Sequence, residues 1–178
     1  VTVCHLRFGK EKIKSTYFVS NPKLIVLTKD SYLEQFNLLD NIEENGTFII
    51  STSKSLEELN EMIPKQMLNI IKERNINVYI SRAMELALKK GLGNKISMIM
   101  EAQILKLSNL LDYDEAIDKL ISDVKSKFRK KGDEVIDKNI SAIKESDKYI
   151  YKIDSFKENN LTINVENNLY DMINKRHG

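Results

Sequence analysis

His5, Arg7 and Gly9 are the residues of this chain whose types and spacing best fit chemistry. They close a run, Val1 to Phe8, whose β-branched alternation predicts a strand ended by Gly9. Alternation sets His5 and Arg7 on one side, two residues apart, toward the strand's C-terminal end. In open α/β sheets ligands bind in the crevice beyond such ends. An arginine there can grip a phosphate or carboxylate through two parallel hydrogen bonds, and Gly9 lets a ligand approach the backbone. The plainer alternative is a half-buried histidine beside an arginine paired with a surface acid. Cys4 falls on the opposite face and reads as a small core residue, not a nucleophile.

Other candidate chemistry is sparse. Two histidines, His5 and His177, and a single cysteine exclude an internal disulfide and any cysteine-built metal or cluster site. A metal site would need carboxylates, and no acidic cluster predicts one, so no metal ligand and no catalytic residue is assigned. Walker-type loops, HExxH, CxxC and GxSxG are all missing. Gly91-Leu92-Gly93 follows a predicted helix, not a strand, and reads as a helix cap and turn instead of a phosphate loop. Arg82, just past a predicted strand, is a weaker ligand candidate and reads first as a surface ion-pair partner.

The scaffold for these residues is bounded by composition. The 178 residues carry 28 Lys+Arg against 26 Asp+Glu, a net charge of +2, with 42% hydrophobic residues, 6 Gly and 2 Pro. That excludes disordered and low-complexity classes and suits one core. Balanced charge argues against nucleic acid as a partner, and the basic run Lys125 to Lys131 reads as solvated helix surface. No apolar run reaches the ~18 residues of a membrane span and none reads as a signal peptide, so a soluble, cytoplasmic protein without membrane contact is expected. Val1 is not an initiator Met and the chain stops abruptly at Gly178, so a piece of a larger protein is expected.

Along the chain, Leu24 to Leu27, Thr47 to Ser51 and Ile76 to Ile80 are apolar runs typical of strands buried on both faces. Ser31 with Glu34 predicts a capped helix bearing Leu33, Phe36, Leu39 and Ile42, ended at Asn45-Gly46. Ser55 with Glu58 predicts a second, broken at Pro64 and continuing to Arg74. Further helices are expected over 83–90, 95–111, 114–131 and 133–145, and a strand over 149–153. The β-α-β-α-β order predicts a three-layer α/β/α sandwich with a mostly parallel sheet and additional C-terminal helices. The helix over 95–111 is apolar nearly all round, which predicts core on one face and docking of the Met98 and Met100 side against another domain.

Several segments in order carry a resemblance: V-T-V-C-H-L-R-F-G (Val1 to Gly9), G-T-F (Gly46 to Phe48), S-L-E-E-L (Ser55 to Leu59), G-L-G-N-K-I-S-M-I-M-E (Gly91 to Glu101) and K-K-G-D-E-V-I (Lys130 to Ile136). Together they resemble the third, gamma-type domain of single-chain pyruvate:ferredoxin oxidoreductases. The resemblance implies a gamma-type domain over 1–147, lacking its N-terminal glycine-rich segment, and a linker over 148–178 toward a ferredoxin-like domain. It implies a parent enzyme that oxidises pyruvate with coenzyme A to acetyl-CoA and carbon dioxide while reducing ferredoxin or flavodoxin. The parent's thiamine diphosphate, magnesium and iron–sulphur clusters would sit on other domains, the parent would be a homodimer, and this piece alone would be inactive. The module's implied role is to close over the coenzyme A site and hold the assembly, with His5, Arg7, Gly9 and Lys10 binding coenzyme A and Arg7 first among them in contacting its phosphates. An alternative is a pure docking module of a related 2-oxoacid enzyme that touches no ligand. The sequence departs from the family pattern at Cys4 (usually Ser), Ser51 (Asn), Lys54 (Trp nearby), Arg82 (Asp or Asn nearby), Ser97 (Asn), Glu101 (Gln), and Ile104 and Leu105 (Phe).

Overall fold

The computed structural model describes residues 3–7, 13 and 18–156. Its centre is a four-stranded sheet in the order β1 (Leu24–Leu27), β2 (Thr47–Ser51), β3 (Asn77–Ser81), β4 (Ile150–Ile153). The first three strands run parallel, with Leu24 opposite Thr47 and Thr47 opposite Asn77, and β4 pairs antiparallel with β3. Strand period then sorts the side chains: Phe48 and Ile50 enter one core, while Ile49 enters the other.

On the first face, α1 (Leu56–Met62) and α2 (Lys65–Glu73) contribute Leu59, Ile63 in their connection, Met67 and Leu68. Ser55 and Glu58 form the expected reciprocal cap of α1, and Pro64, which ends it, is the N-cap of α2. On the second face, α3 (Ala83–Lys89) and α4 (Ser97–Ser108) supply Leu86, Ala87, Ile99 and Met100. Beyond them α5 (Tyr113–Phe128) and α6 (Asp133–Glu145) pack with α4 around Met98, Ala102, Leu120, Val124 and Ile143. The fold is the expected α/β/α sandwich with added C-terminal helices. Gly91 and Leu92 close α3 in a Schellman cap, with Leu92 N–H donating to Ala87 C=O and Gly91 at φ +68°.

Three expectations are corrected. Residues 31–42 form no α-helix but a 3-10 turn, Asp30–Tyr32, followed by irregular turns, although Leu33, Phe36, Leu39 and Ile42 are all buried. The reason is spacing: at about 100° per residue, steps of three rotate the apolar position by −60° each, so Leu33 and Ile42 would fall on opposite sides of an α-helix. Residues 3–7 belong to no strand, and Cys4 is exposed, not core. Val3, Cys4, Leu6 and Arg7 are exposed, Leu6 at 70%, and His5 is half-buried. Met98 and Met100 do not face outward: the chain's own α5, α6 and sheet enclose them. The strand expected over 149–153 is present as Ile150–Ile153, the fourth strand of the sheet, and Phe156 packs on the first core. Residues 157–178 lie outside the described residues.

Candidate functional site

The parallel strands all end on one edge, and there the chain leaves a crevice of about 430 Å³. The exit of β1 contributes Thr28, Lys29 and Asp30; that of β2 contributes Ser51, Thr52, Ser53 and Lys54; Glu58, Met84 and Ile96 complete it. The rim is therefore hydroxyl-rich and carries two ammonium groups and two carboxylates, while Met84 and Ile96 give one apolar wall. Such a position, outside the carboxyl ends of parallel strands, is where α/β sheets hold ligands.

Thr52 organises the rim. It is 6% exposed and engages every polar group it has. Its N–H donates to Ser81 C=O at 3.2 Å, and its hydroxyl donates to the Asp30 carboxylate at 2.6 Å. The hydroxyl oxygen accepts from Lys54 N–H at 3.1 Å, and its carbonyl accepts from Arg82 Nη1 at 2.8 Å. Lys29 lies over the Tyr32 ring at 5.6 Å. Glu58 is held below the usual carboxylate range, first by the Ser55 backbone N–H and with Lys54 nearby. The rim can bind and orient an anionic or hydroxylated ligand. Within it the Thr52 hydroxyl and the Asp30 carboxylate are bonded to each other.

The residues singled out from sequence stand elsewhere. His5 Nδ1 accepts from Val19 N–H at 3.2 Å, and its ring meets Phe18 at 5.0 Å between centroids. Arg7 Nη2 donates to the Phe18 carbonyl at 2.8 Å. Both face residues 18–19, and neither is among the residues that line the crevice. Gly9 and Lys10 lie outside the described residues. Arg82, read first as a surface ion-pair partner, instead holds a main-chain carbonyl of the crevice rim. Thr28 to Asp30 and Ser51 to Lys54 were passed over, although the rule applied to His5 points to them once Leu24 to Leu27 and Thr47 to Ser51 are read as strands. Of the departures from the family pattern, Ser51 and Lys54 line the crevice and Arg82 holds it.

Cys4 is the chain's lone cysteine, and among the described residues no group of three or more His, Cys, Asp or Glu could hold a metal ion. Among the same residues no helix is long and apolar enough to cross a membrane.

An α/β module with a crevice beyond the ends of its parallel strands is the class that these features define. The model of the pyruvate ferredoxin/flavodoxin oxidoreductase family matches residues 1–149, and the chain belongs to that family. It is 34% identical over 143 residues to a pyruvate:ferredoxin oxidoreductase of Moorella thermoacetica and 35% identical over 143 residues to a pyruvate-flavodoxin oxidoreductase of Klebsiella pneumoniae. Each match takes in 80% of this chain and 12% of the relative, so the chain spans about an eighth of those relatives' length. A pyruvate dehydrogenase [NADP(+)] of Cryptosporidium parvum is 33% identical over 80% of this chain and 7% of its own length. Among solved structures, the pyruvate oxidoreductase subunit PORC of Thermotoga maritima shares the fold, with TM-score 0.58, 16% identity, and coverage of 75% of this chain and 66% of that one.

Proposed function

We propose that this chain is the gamma-type module of a pyruvate:ferredoxin-type oxidoreductase, and that it binds coenzyme A and closes its site while other domains carry the redox chemistry. In that reaction pyruvate and coenzyme A yield acetyl-CoA and carbon dioxide, and ferredoxin or flavodoxin takes the electrons. The names of the relatives support pyruvate as the shared reactant, since the acceptor in those names varies between ferredoxin, flavodoxin and NADP(+). A module common to all three is more fittingly tied to the pyruvate and coenzyme A end than to the acceptor. Thiamine diphosphate, magnesium and iron–sulphur clusters belong, on this reading, to the rest of the enzyme, whose cellular place is the cytoplasm and whose working form is a homodimer.

The observation that carries the coenzyme A role is the crevice itself: Lys29 and Lys54 beside four hydroxyl side chains suit phosphate oxygens, and Met84 with Ile96 suits an apolar or ring portion. Arg7, with His5, Gly9 and Lys10, is proposed as a second set of phosphate contacts. The docking-only alternative relied on an outward apolar side of α4, and the enclosure of Met98 and Met100 counts against it.

Hydrogen exchange on the assembled enzyme with and without coenzyme A tests this. Protection over 28–30 and 51–54 is the expected result, with protection over 5–10 if the Arg7 group also engages. Unchanged exchange in both stretches would overturn the ligand role. Arg7→Ala is expected to raise the KM for coenzyme A about tenfold and leave that for pyruvate unmoved.

A further inference from the structure

We propose that Arg82 is a positioning residue for the crevice, shaping the β2 exit through one main-chain carbonyl without touching the ligand; this rests on the coenzyme A reading above. Arg82 is anchored before its side chain begins. Its backbone N–H donates to Tyr149 C=O at 2.8 Å, and its carbonyl accepts from Leu86 N–H at 3.2 Å.

The preceding residue, Ser81, has no exposed surface, and its hydroxyl donates to Gln103 Oε1 at 2.6 Å. Gln103, equally buried, donates from Nε2 to Ser146 C=O at 2.9 Å and Tyr149 C=O at 3.2 Å. The end of β3, the middle of α4 and the turn before β4 thus form one satisfied polar junction. Buried networks of this kind rigidify what they join when every member is paired.

From that junction the guanidinium reaches across to Thr52 C=O at 2.8 Å. A peptide unit is planar, so fixing the Thr52 oxygen also fixes the N–H of Ser53, which lines the crevice. It equally sets the Thr52 backbone from which the hydroxyl reaches Asp30 and accepts from Lys54 N–H. The sheet alone cannot do this, because Thr52 C=O lies one residue past the last β2–β3 pair, Ser51 with Ser81. Arg82 supplies the bond that the ladder no longer provides.

In the assembled oxidoreductase, Arg82→Ala is expected to raise the KM for coenzyme A about five- to tenfold while kcat and the KM for pyruvate stay within about twofold. Arg82→Lys, which keeps the charge and a donor, is expected to recover most of that loss. Amide exchange at Ser53 and Lys54, read without ligand, should quicken in the alanine variant and return in the lysine one. If Arg82→Ala does not assemble, Arg82→Gln and Arg82→Lys carry the same comparison. An unchanged coenzyme A KM overturns the proposal, as does an equal fall in every kinetic constant without rescue by lysine. A Lys29→Ala/Lys54→Ala double variant separates the two readings. If it raises the coenzyme A KM and Arg82→Ala does not, only the Arg82 role fails; if neither does, the crevice reading fails first.

Discussion

The rim of the crevice and the segment 3–7 are candidates to hold the same anionic ligand, yet they owe their positions to different forces. Thr52 and its neighbours continue strands whose side chains are buried on both faces, and a polar junction behind them is fully paired. Residues 3–7 lie outside the sheet, with Leu6 70% exposed, and are fastened to Phe18 and Val19 through the side chains of Arg7 and His5. A strand end inherits its place from the cooperative core beneath it. A surface segment depends on individual hydrogen bonds, each with a net value of about 0.5–1.5 kcal/mol. The rim is therefore held by the sheet and its core, whereas the segment rests on contacts such as those of His5 and Arg7 with Phe18 and Val19.

Substitutions in the two regions can break this contrast. The largest effect is expected from Phe48→Ala, which empties a site with no exposure in the first core and should cost about 3–5 kcal/mol. Leu6→Ala, its surface counterpart, should stay within about 0.5 kcal/mol. Urea unfolding of both variants measures the difference, and equal losses would show that segment 3–7 is as firmly set as the sheet.

Gln103→Ala comes next. It strips a donor from the Ser146 and Tyr149 carbonyls and an acceptor from Ser81, so a loss of about 1–3 kcal/mol is expected. Amide exchange should quicken around Arg82 and the 146–149 turn but not over 3–7.

Smaller again is Ser55→Ala, which removes the cap of α1 beside the rim, at about 0.5–2 kcal/mol by thermal unfolding. The smallest effect concerns pH. Glu58 is held below its ordinary value first by the Ser55 backbone N–H, so the folded state favours its ionised form. Its contribution is present above the ordinary glutamate value and is lost as pH falls through the lowered one. Glu58→Gln is therefore expected to flatten the fall of stability with pH below the ordinary glutamate value of about 4.3, which unfolding midpoints across acid pH would measure.

Much of this fold was legible in local patterns. Leu24 to Leu27 and Thr47 to Ser51 are short runs with apolar centres, and each forms a strand, the edge strand β1 half-buried and the inner strand β2 almost wholly buried. The Ser55–Glu58 cap and the Gly91 stop depend on neighbours a few residues away and are seen where the spacing places them. The 31–42 stretch misled because burial and helix share the same apolar residues, and only their three-residue spacing tells a wrapped turn from an α-helix. The candidate site was harder to read, since Asp30, Thr52 and Arg82 are 22 and 30 residues apart in sequence and meet only when three strands end together.

The linear order of residues determined where strands β1, β2 and β3 and the Ser55 and Gly91 caps fall, and that this chain carries a single cysteine. Tertiary structure alone decided that the methionine side of α4 is enclosed, that Arg82 grips a carbonyl, and that the rim lies at β1 and β2. Local propensity acts over a few residues, whereas these outcomes depend on long-range closure of the sheet, where one packed arrangement excludes its competitors.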